Sequence, residues 1–426
     1  MTADPPPWAA RLREERCARG WSQRQMAVRL YRAADERVQA GLPRIEYIVR
    51  RIVAYESGTH RPRDPYLELY SRAFGVPRNV LFGPIGSEQP DRLPMAADAD
   101  GLATWITSSN TTDEAISRIA QATHELAGAH PRQPPRRVLA GVMQAHRQAQ
   151  ALLHGGRQRL RQTRNLLQID AGLLAHASLL LDDIHHSDSA QAHGHTALLF
   201  AAEAGTSPAL AYSAQAKTAR WLGMRCAGRT GRQHFSQSAD LARKGFEAST
   251  PAHPVRVLLA CQEASAAALL GDATLARQAL KRADQVAGAI PDATEVTAWS
   301  CPRPRTVLYA LSVALRLHDP DAALRSAAAA DELWAAGEPR AFGVWSLIQA
   351  GAGIAHLMKG DLPAADERLT QVTELPPDLR ISTITGYLED MDALLRGHRF
   401  ASIQRAADMR EQIATFIAPT TPGAKG

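Results

Sequence analysis

A chain of 426 residues is too long for one comfortable core, so at least two folded units are expected. Apolar residues make up 45% and aromatic ones only 5%, in Ala- and Leu-rich tracts broken by Gly, Asp and Pro, a composition that favours helix over sheet. Of the 49 basic and 43 acidic residues, fifteen Arg and nine Asp or Glu fall within residues 1–83, which therefore carry the net +6 of the whole chain and leave 34 of each sign elsewhere. A small basic segment joined to a neutral larger one points to a polyanion partner for the first and something different for the second.

The opening Met1–Trp8 holds an acid and three prolines rather than a basic start and an apolar run, so no secretory signal is read there. No apolar stretch approaches a membrane span, and a cytoplasmic protein without membrane association is expected. Cys17, Cys226, Cys261 and Cys301 form no C-x-x-C pair, which argues against a disulfide framework or zinc knuckle; they read as small buried residues in a reducing compartment.

Five short helices are predicted between Trp8 and Phe82. The first follows Asp4-Pro-Pro-Pro, with Asp4 as cap, and stops at Gly20. The second opens at Ser22 and carries Met26, Ala27 and Leu30 at helical spacing. The third follows Gly41-Leu-Pro43 and ends at Ser57-Gly58, with Ile48, Ile52 and Tyr55 on one face. A fourth starts at Asp64-Pro65, buries Leu67, Tyr70 and Phe74 and ends at Gly75; a fifth turn spans Val76–Phe82. Residues 84–111 mix turn formers and small residues without periodicity and read as a linker.

Over residues 112–418 long apolar helices alternate with tight turns, and 419–426 read as a disordered tail. Val257–Leu270, the Gly271-Asp272 turn and Thr274–Ala287 form the clearest unit; further turns lie at His318-Asp-Pro-Asp321, Lys359-Gly-Asp361 and Arg396-Gly-His398. Their spacing of roughly forty residues is that of a helical solenoid, with Ala260, Ala267, Ala276, Ala279 and Ala283 where neighbouring helices cross. The expected fold class is thus all-α, a small five-helix domain followed by an α-solenoid of helix pairs.

The stretch Arg13-Glu-Glu-Arg16-Cys-Ala-Arg-Gly20-Trp-Ser22-Gln23-Arg-Gln-Met26-Ala27 resembles the opening of the XRE and phage-repressor helix-turn-helix family. Ile52-Val-Ala-Tyr55-Glu56-Ser-Gly58-Thr-His-Arg-Pro62 resembles that family's recognition-helix end, and Phe74-Gly75-Val76 through Leu81-Phe82-Gly83 its closing segment, so the likeness covers about residues 1–83. The repeats resemble tetratricopeptide units, though longer than usual and without the full consensus, and the combination resembles peptide-responsive regulators of actinobacterial type. A DNA-binding transcriptional regulator is the function these resemblances imply, with double-stranded DNA as partner. They further imply a homodimer on paired half-sites and a peptide, small-molecule or protein effector on the repeats. A tetratricopeptide-like scaffold whose helix-turn-helix is only a docking module is the alternative.

Helical spacing places Val49, Arg50, Arg51, Ala54 and Ser57 opposite the predicted core face, where a helix in the major groove meets base edges, and an Arg there presents paired donors to guanine. By resemblance Val49, Arg50 and Ala54 match base-reading positions, Gln23 a phosphate anchor, and Arg16 with Glu56 a structural salt bridge. Arg24, Arg44, Thr59, His60, Arg61 and Arg63 are the remaining candidates for phosphate contact. Between Leu30 and Ile45 the chain has fourteen residues, Tyr31–Arg44, a longer connection than the family's tight turn, read as helix two continuing to about Ala40. Arg220, Trp221, Arg225, Tyr309 and Trp345 are candidate effector-groove residues. His185, His186, His193 and His195 cluster without spaced carboxylates or cysteines, and no Walker loop, Rossmann fingerprint or nucleophile elbow occurs. Catalytic residues, cofactors and metals are accordingly not expected, nor an enzyme.

Overall fold

The computed structural model describes residues 6–82, 109–226, 228–290 and 296–418. Every described element is helical, and the chain divides into two compact units, residues 1–100 and 101–426. No helix among the described residues is long and apolar enough to cross a membrane. Asp4, most of the expected linker and the expected tail lie outside the described residues. Residues 109–111, read as linker, instead belong to the second unit: Asn110 N–H donates to Arg157 O at 3.0 Å and the Gln162 amide donates to Thr111 O at 3.0 Å.

Among its described residues the first unit has six helices, where five were expected: α1 Pro7–Ala18, α2 Gln23–Ala33, α3 Glu36–Gln39, α4 Ile45–Glu56, α5 Tyr66–Phe74 and α6 Arg78–Phe82. Ser22 caps α2 in a reciprocal box with Gln25, satisfying two N–H groups that a helix start leaves open. The expected continuation of α2 to Ala40 does not occur. Ala34 turns extended, with ψ 138°, and the Asp35 carboxylate accepts from Val38 N–H at 2.9 Å to start the one-turn α3. A local cap thus outcompetes helix propagation. Asp64 does not cap α5; its carboxylate pairs with Arg78 at 3.0 Å. Leu12, Met26, Leu30, Ile48, Ile52, Leu69 and Tyr70 form the centre of the core, each 2% exposed or less. Leu67, expected inside, is half-buried, and Tyr66 takes its place. Gly58, at φ +74°, has no room for a side chain, because a Cβ there would come within 2.2 Å of Pro6 Cδ.

In the second unit, α7 Asp113–Ala129 and α8 Pro135–Gly155 precede six successive pairs. These are α9 Leu160–Asp183 with α10 Ser187–Ala204, α11 Ala209–Arg225 with α12 Gly228–Ala248, and α13 Val255–Leu270 with α14 Ala273–Ala289. They continue as α15 Arg303–Arg316 with α16 Pro320–Ala335, α17 Phe342–Lys359 with α18 Leu362–Thr373, and α19 Ser382–Leu395 with α20 Gln404–Ile417. The first helix of a pair is buried nearly all round, as Val255–Ala268 is along α13. The second buries only a stripe, Ala276, Ala279 and Ala283 on α14 and Leu362, Ala365, Leu369 and Val372 on α18. Two layers result, with the first helices inside.

Three turns repeat one geometry. Gly271, His318 and Gly360 adopt positive φ, and the next residue, Asp272, Asp319 or Asp361, caps the following helix by accepting from the N–H three residues on. The inner layer curls far enough for its ends to meet. Ser382 Oγ donates to Asp182 O at 2.7 Å across 200 residues of sequence, and Trp221 of α11 lies against α19, where a Cβ on Gly386 would come within 2.9 Å of the indole.

Near that closure, His130 Nδ1 and His176 Nε2 lie 3.0 Å apart, a contact that admits one proton between two rings. Burial pushes His176, 1% exposed, well below the usual imidazole range, and His130 down to about 3. Both stay neutral in the fold, while the unfolded chain protonates them below about pH 6.5. Stability is therefore expected to fall as pH drops from 6.5 towards 3, by up to about 1.4 kcal/mol per pH unit for each ring. Urea midpoints measured at pH 7, 6 and 5 should decline in the wild type and decline less steeply in the His130→Gln, His176→Gln variant; equal slopes contradict this reading.

Candidate functional site

Helix α4 is amphipathic because apolar residues recur at 48, 52 and 55. Ile48 and Ile52 are fully buried and Tyr55 is 7% exposed. Advancing 100° per residue, the face directly opposite centres on Arg50 and takes in Glu46, Tyr47, Val53, Ala54 and Ser57. Tyr47 and Val53 are 58% and 46% exposed, large apolar residues left in water on that face. Sequence reasoning missed both, although the same helical spacing that selected Arg50 includes them.

Two of the expected base readers are displaced to the flanks of this face. Val49 is half-buried and packs on the core, since it lies a quarter-turn from Arg50 towards Glu56. Arg51 is exposed, but its guanidinium rests over the Tyr66 ring, 5.2 Å from its centroid, which holds it towards α5. Arg50 is exposed at the centre, its guanidinium 5.5 Å from the Tyr47 ring, with no carboxylate in ion-pair distance among the described residues. Ala54 is half-exposed beside it.

The angle of α4 is fixed from α1. Arg16 Nε donates to Glu56 Oε1 at 2.6 Å and Nη2 to Oε2 at 2.8 Å, a two-point fork, while Nη1 donates to Trp21 O at 2.7 Å. The side chains are 12% and 5% exposed. Glu56 holds the guanidinium charged and raises it above the ordinary arginine range. The expected salt bridge is thus present with both ends largely out of water. Gln23, expected on phosphate, joins the same cluster, its amide donating to Glu56 Oε2 at 3.1 Å. One of its two amide hydrogens is thus engaged within the unit, and the side chain stays half-exposed.

The other phosphate candidates are distributed around α4. Arg24 is exposed near the start of α2, Arg44 sits at the N-cap of α4, and Arg63 precedes α5. Thr59 shares a 2.8 Å hydrogen bond with Ser57, and His60 N–H donates to Ala54 O. Arg61 is partly used internally, donating to Phe82 O at 3.1 Å. Arg24, Arg44, Arg63 and His60 remain exposed, without ion-pair partners among the described residues.

In the second unit the curled inner helices surround an open-mouthed cavity. Arg220, Trp221 and Tyr309 line it, as expected of groove residues. Trp221 is also a core residue, 5% exposed against Tyr387. Arg225 does not line the cavity: it donates to Ser187 Oγ at 2.6 Å and lies 3.6 Å from Asp182. Trp345 faces the hydrophobic core of the later repeats. Lys217, Arg305, Arg316 and Tyr387 also line it, and sequence reasoning missed them because their convergence depends on the curl.

The four histidines around α10 do not converge: His193 Nδ1 bonds Ser189 O, and His195 lines a separate surface depression. No group of three or more His, Cys, Asp or Glu among the described residues is placed to hold a metal ion. The four cysteines are free; Cys261 and Cys301 are buried as expected, whereas Cys17 is exposed.

No known family model and no curated protein matches the chain. Removing Arg16 leaves Glu56 buried and uncompensated, so Arg16→Met should cost about 3 kcal/mol. Hydrogen exchange followed by mass spectrometry should then show faster exchange in α1 and α4 with α13–α18 unchanged. Unaltered protection of α4 contradicts the clamp.

Proposed function

We propose that the chain is a sequence-specific DNA-binding transcriptional regulator, with its first unit reading the major groove and its second binding an effector or a second copy of the chain. The observation that carries this reading is the outward face of α4. Arg50 stands at its centre, exposed and without an acid partner among the described residues, on a helix whose other face is locked into a core. A guanidinium so placed can present two donors to guanine O6 and N7, contributing about 1–3 kcal/mol of discrimination. Exposed Tyr47 and Val53, with half-exposed Ala54, add apolar surface of the kind that meets a thymine methyl.

The surrounding charge supports the same reading. Exposed Arg24, Arg44 and Arg63 attract phosphates without selecting sequence. Because the acids of the unit are partly matched internally, Glu56 by Arg16 and Asp64 by Arg78, the excess positive charge is left at the surface. A homodimer on paired half-sites belongs to the proposal through the resemblance to phage-repressor-type domains.

Fluorescence anisotropy over a panel of genomic fragments, titrated with salt, tests this. Selected fragments should bind at least tenfold more tightly than random ones. Arg50→Ala should weaken the selected class by about 1–3 kcal/mol and shrink the gap. Arg63→Ala should weaken both classes alike and lower the salt slope by about one. Equal weak affinity for every fragment, with or without Arg50, would falsify sequence-specific recognition and favour a protein-docking role.

A further inference from the structure

Within the cavity of the second unit the charges do not balance. Asp183 is the one acid among the described lining residues, and Lys217 already meets it at 2.6 Å. Arg316 is matched by Asp390 at 2.6 Å. Arg305 is tied to the carbonyls of Ala298 and Ser300, at 3.0 and 2.7 Å, with no carboxylate in ion-pair distance among the described residues. Arg220, only 9% exposed, has no carboxylate in ion-pair distance among the described residues either, although the buried Asp182 is near enough to feel its charge. Its Nη1 donates to Ser265 Oγ at 2.6 Å, but Nε is buried without any hydrogen-bond partner.

A buried guanidinium with an unmet donor is unfavourable unless something supplies the missing negative charge. Two rings hold this one in place: Trp221 and Tyr309 lie 5.5 and 5.6 Å from its carbon. They restrict its rotamers but bring no acceptor. The rest of the wall is largely apolar, including Leu308, Phe342, Val344, Leu347 and Ile381, and an inorganic ion would leave that surface empty.

We infer that the cavity binds a small organic carboxylate, with its carboxylate on Arg220 and its aromatic or aliphatic body between Trp221, Leu308, Phe342 and Tyr387. This deepens the effector role proposed above and rests on that reading only for its regulatory meaning. A carboxylate fits because Lys217 and Arg316 are matched by acids and Arg305 already commits a nitrogen to two carbonyls, which leaves the Arg220 edge as the unmet donor; a phosphate dianion would call for further free donors. The positive surroundings also reach neighbouring groups: Lys217 and Arg305 reinforce burial in keeping His130 neutral, so the histidine does not compete for the anion.

The test uses the full chain without DNA, so its failure and failure of DNA recognition are separate results. Calorimetry with indole-3-acetate and octanoate, against indole-3-acetamide, octanamide and octyl phosphate, reads charge and shape together. The expected result is saturable binding of at least one carboxylate, at least tenfold tighter than its amide and tighter than octyl phosphate. In Arg220→Gln the acid and amide should bind alike, while Arg220→Lys should restore part of the difference. The wild-type comparison needs no variant, so it stands even if Arg220→Gln misfolds by circular dichroism. Equal binding of acids and amides, preference for octyl phosphate, an unchanged acid preference in folded Arg220→Gln, or no binding of any probe at millimolar concentration would each overturn the assignment.

Discussion

A carboxylate at the end of a helix is doubly disfavoured when buried, by loss of water and by the negative end of the helix dipole. Glu56 occupies such a place, in the last turn of α4 and 6% exposed. Its presence is tolerable because Arg16 reaches it from α1 with two nitrogens, and Gln23 adds a third donor from α2. Three helices are thereby joined at one charged point, next to a core of Leu12, Met26, Ile48 and Ile52. Apolar packing alone leaves helices free to slide; a fork of fixed geometry favours one register. The direction in which Arg50 points follows from that register.

The segment from Ala34 to Arg44 shows how little of this arrangement the extra residues disturb. They form their own capped turn at Asp35 and leave α2 to end at Ala33, so α4 still packs across α2 with its apolar face intact. Propensity favoured a longer helix, since Arg37, Gln39 and Ala40 are all good helix formers. A single Asp able to bond its own backbone decided otherwise, and that competition is close enough in energy that spacing alone does not settle it. The helix start at Ser22, the stop at Gly58 and the core face of α4 were by contrast legible, because each depends on residues close together in sequence. What the sequence concealed in the site are its long-range partners: Arg51 drawn to Tyr66, Gln23 to Glu56, and Asp64 to Arg78.

The same division holds in the repeats. The turns at Gly271-Asp272, His318-Asp319 and Gly360-Asp361 were readable as breaks recurring between apolar helices, and the buried Ala260, Ala276 and Ala283 from helical period; the positive φ and the Asp caps that build those turns were not. The curl of the solenoid was not, because it accumulates from small rotations between successive pairs. Only that curl sets Trp221 against Gly386 and brings Arg220, Arg305 and Tyr387 around one space, and only it separates Arg225 and Trp345 from them. Local chemistry therefore announced the helices and their ends, while the cavity arises from the sum of their packing.

The central claim is that α4 meets duplex DNA through the major groove with Arg50 foremost, and guanine methylation interference examines it most directly. A methyl on guanine N7 occupies the groove where a bidentate arginine would bond, whereas one on adenine N3 lies on the opposite side of the base pair. On a tightly bound fragment, N7 methylation at one or two guanines per half-site should abolish binding by the wild type, with those positions becoming indifferent in Arg50→Ala. Interference confined to adenine N3, or an N7 pattern identical with and without Arg50, would contradict the account.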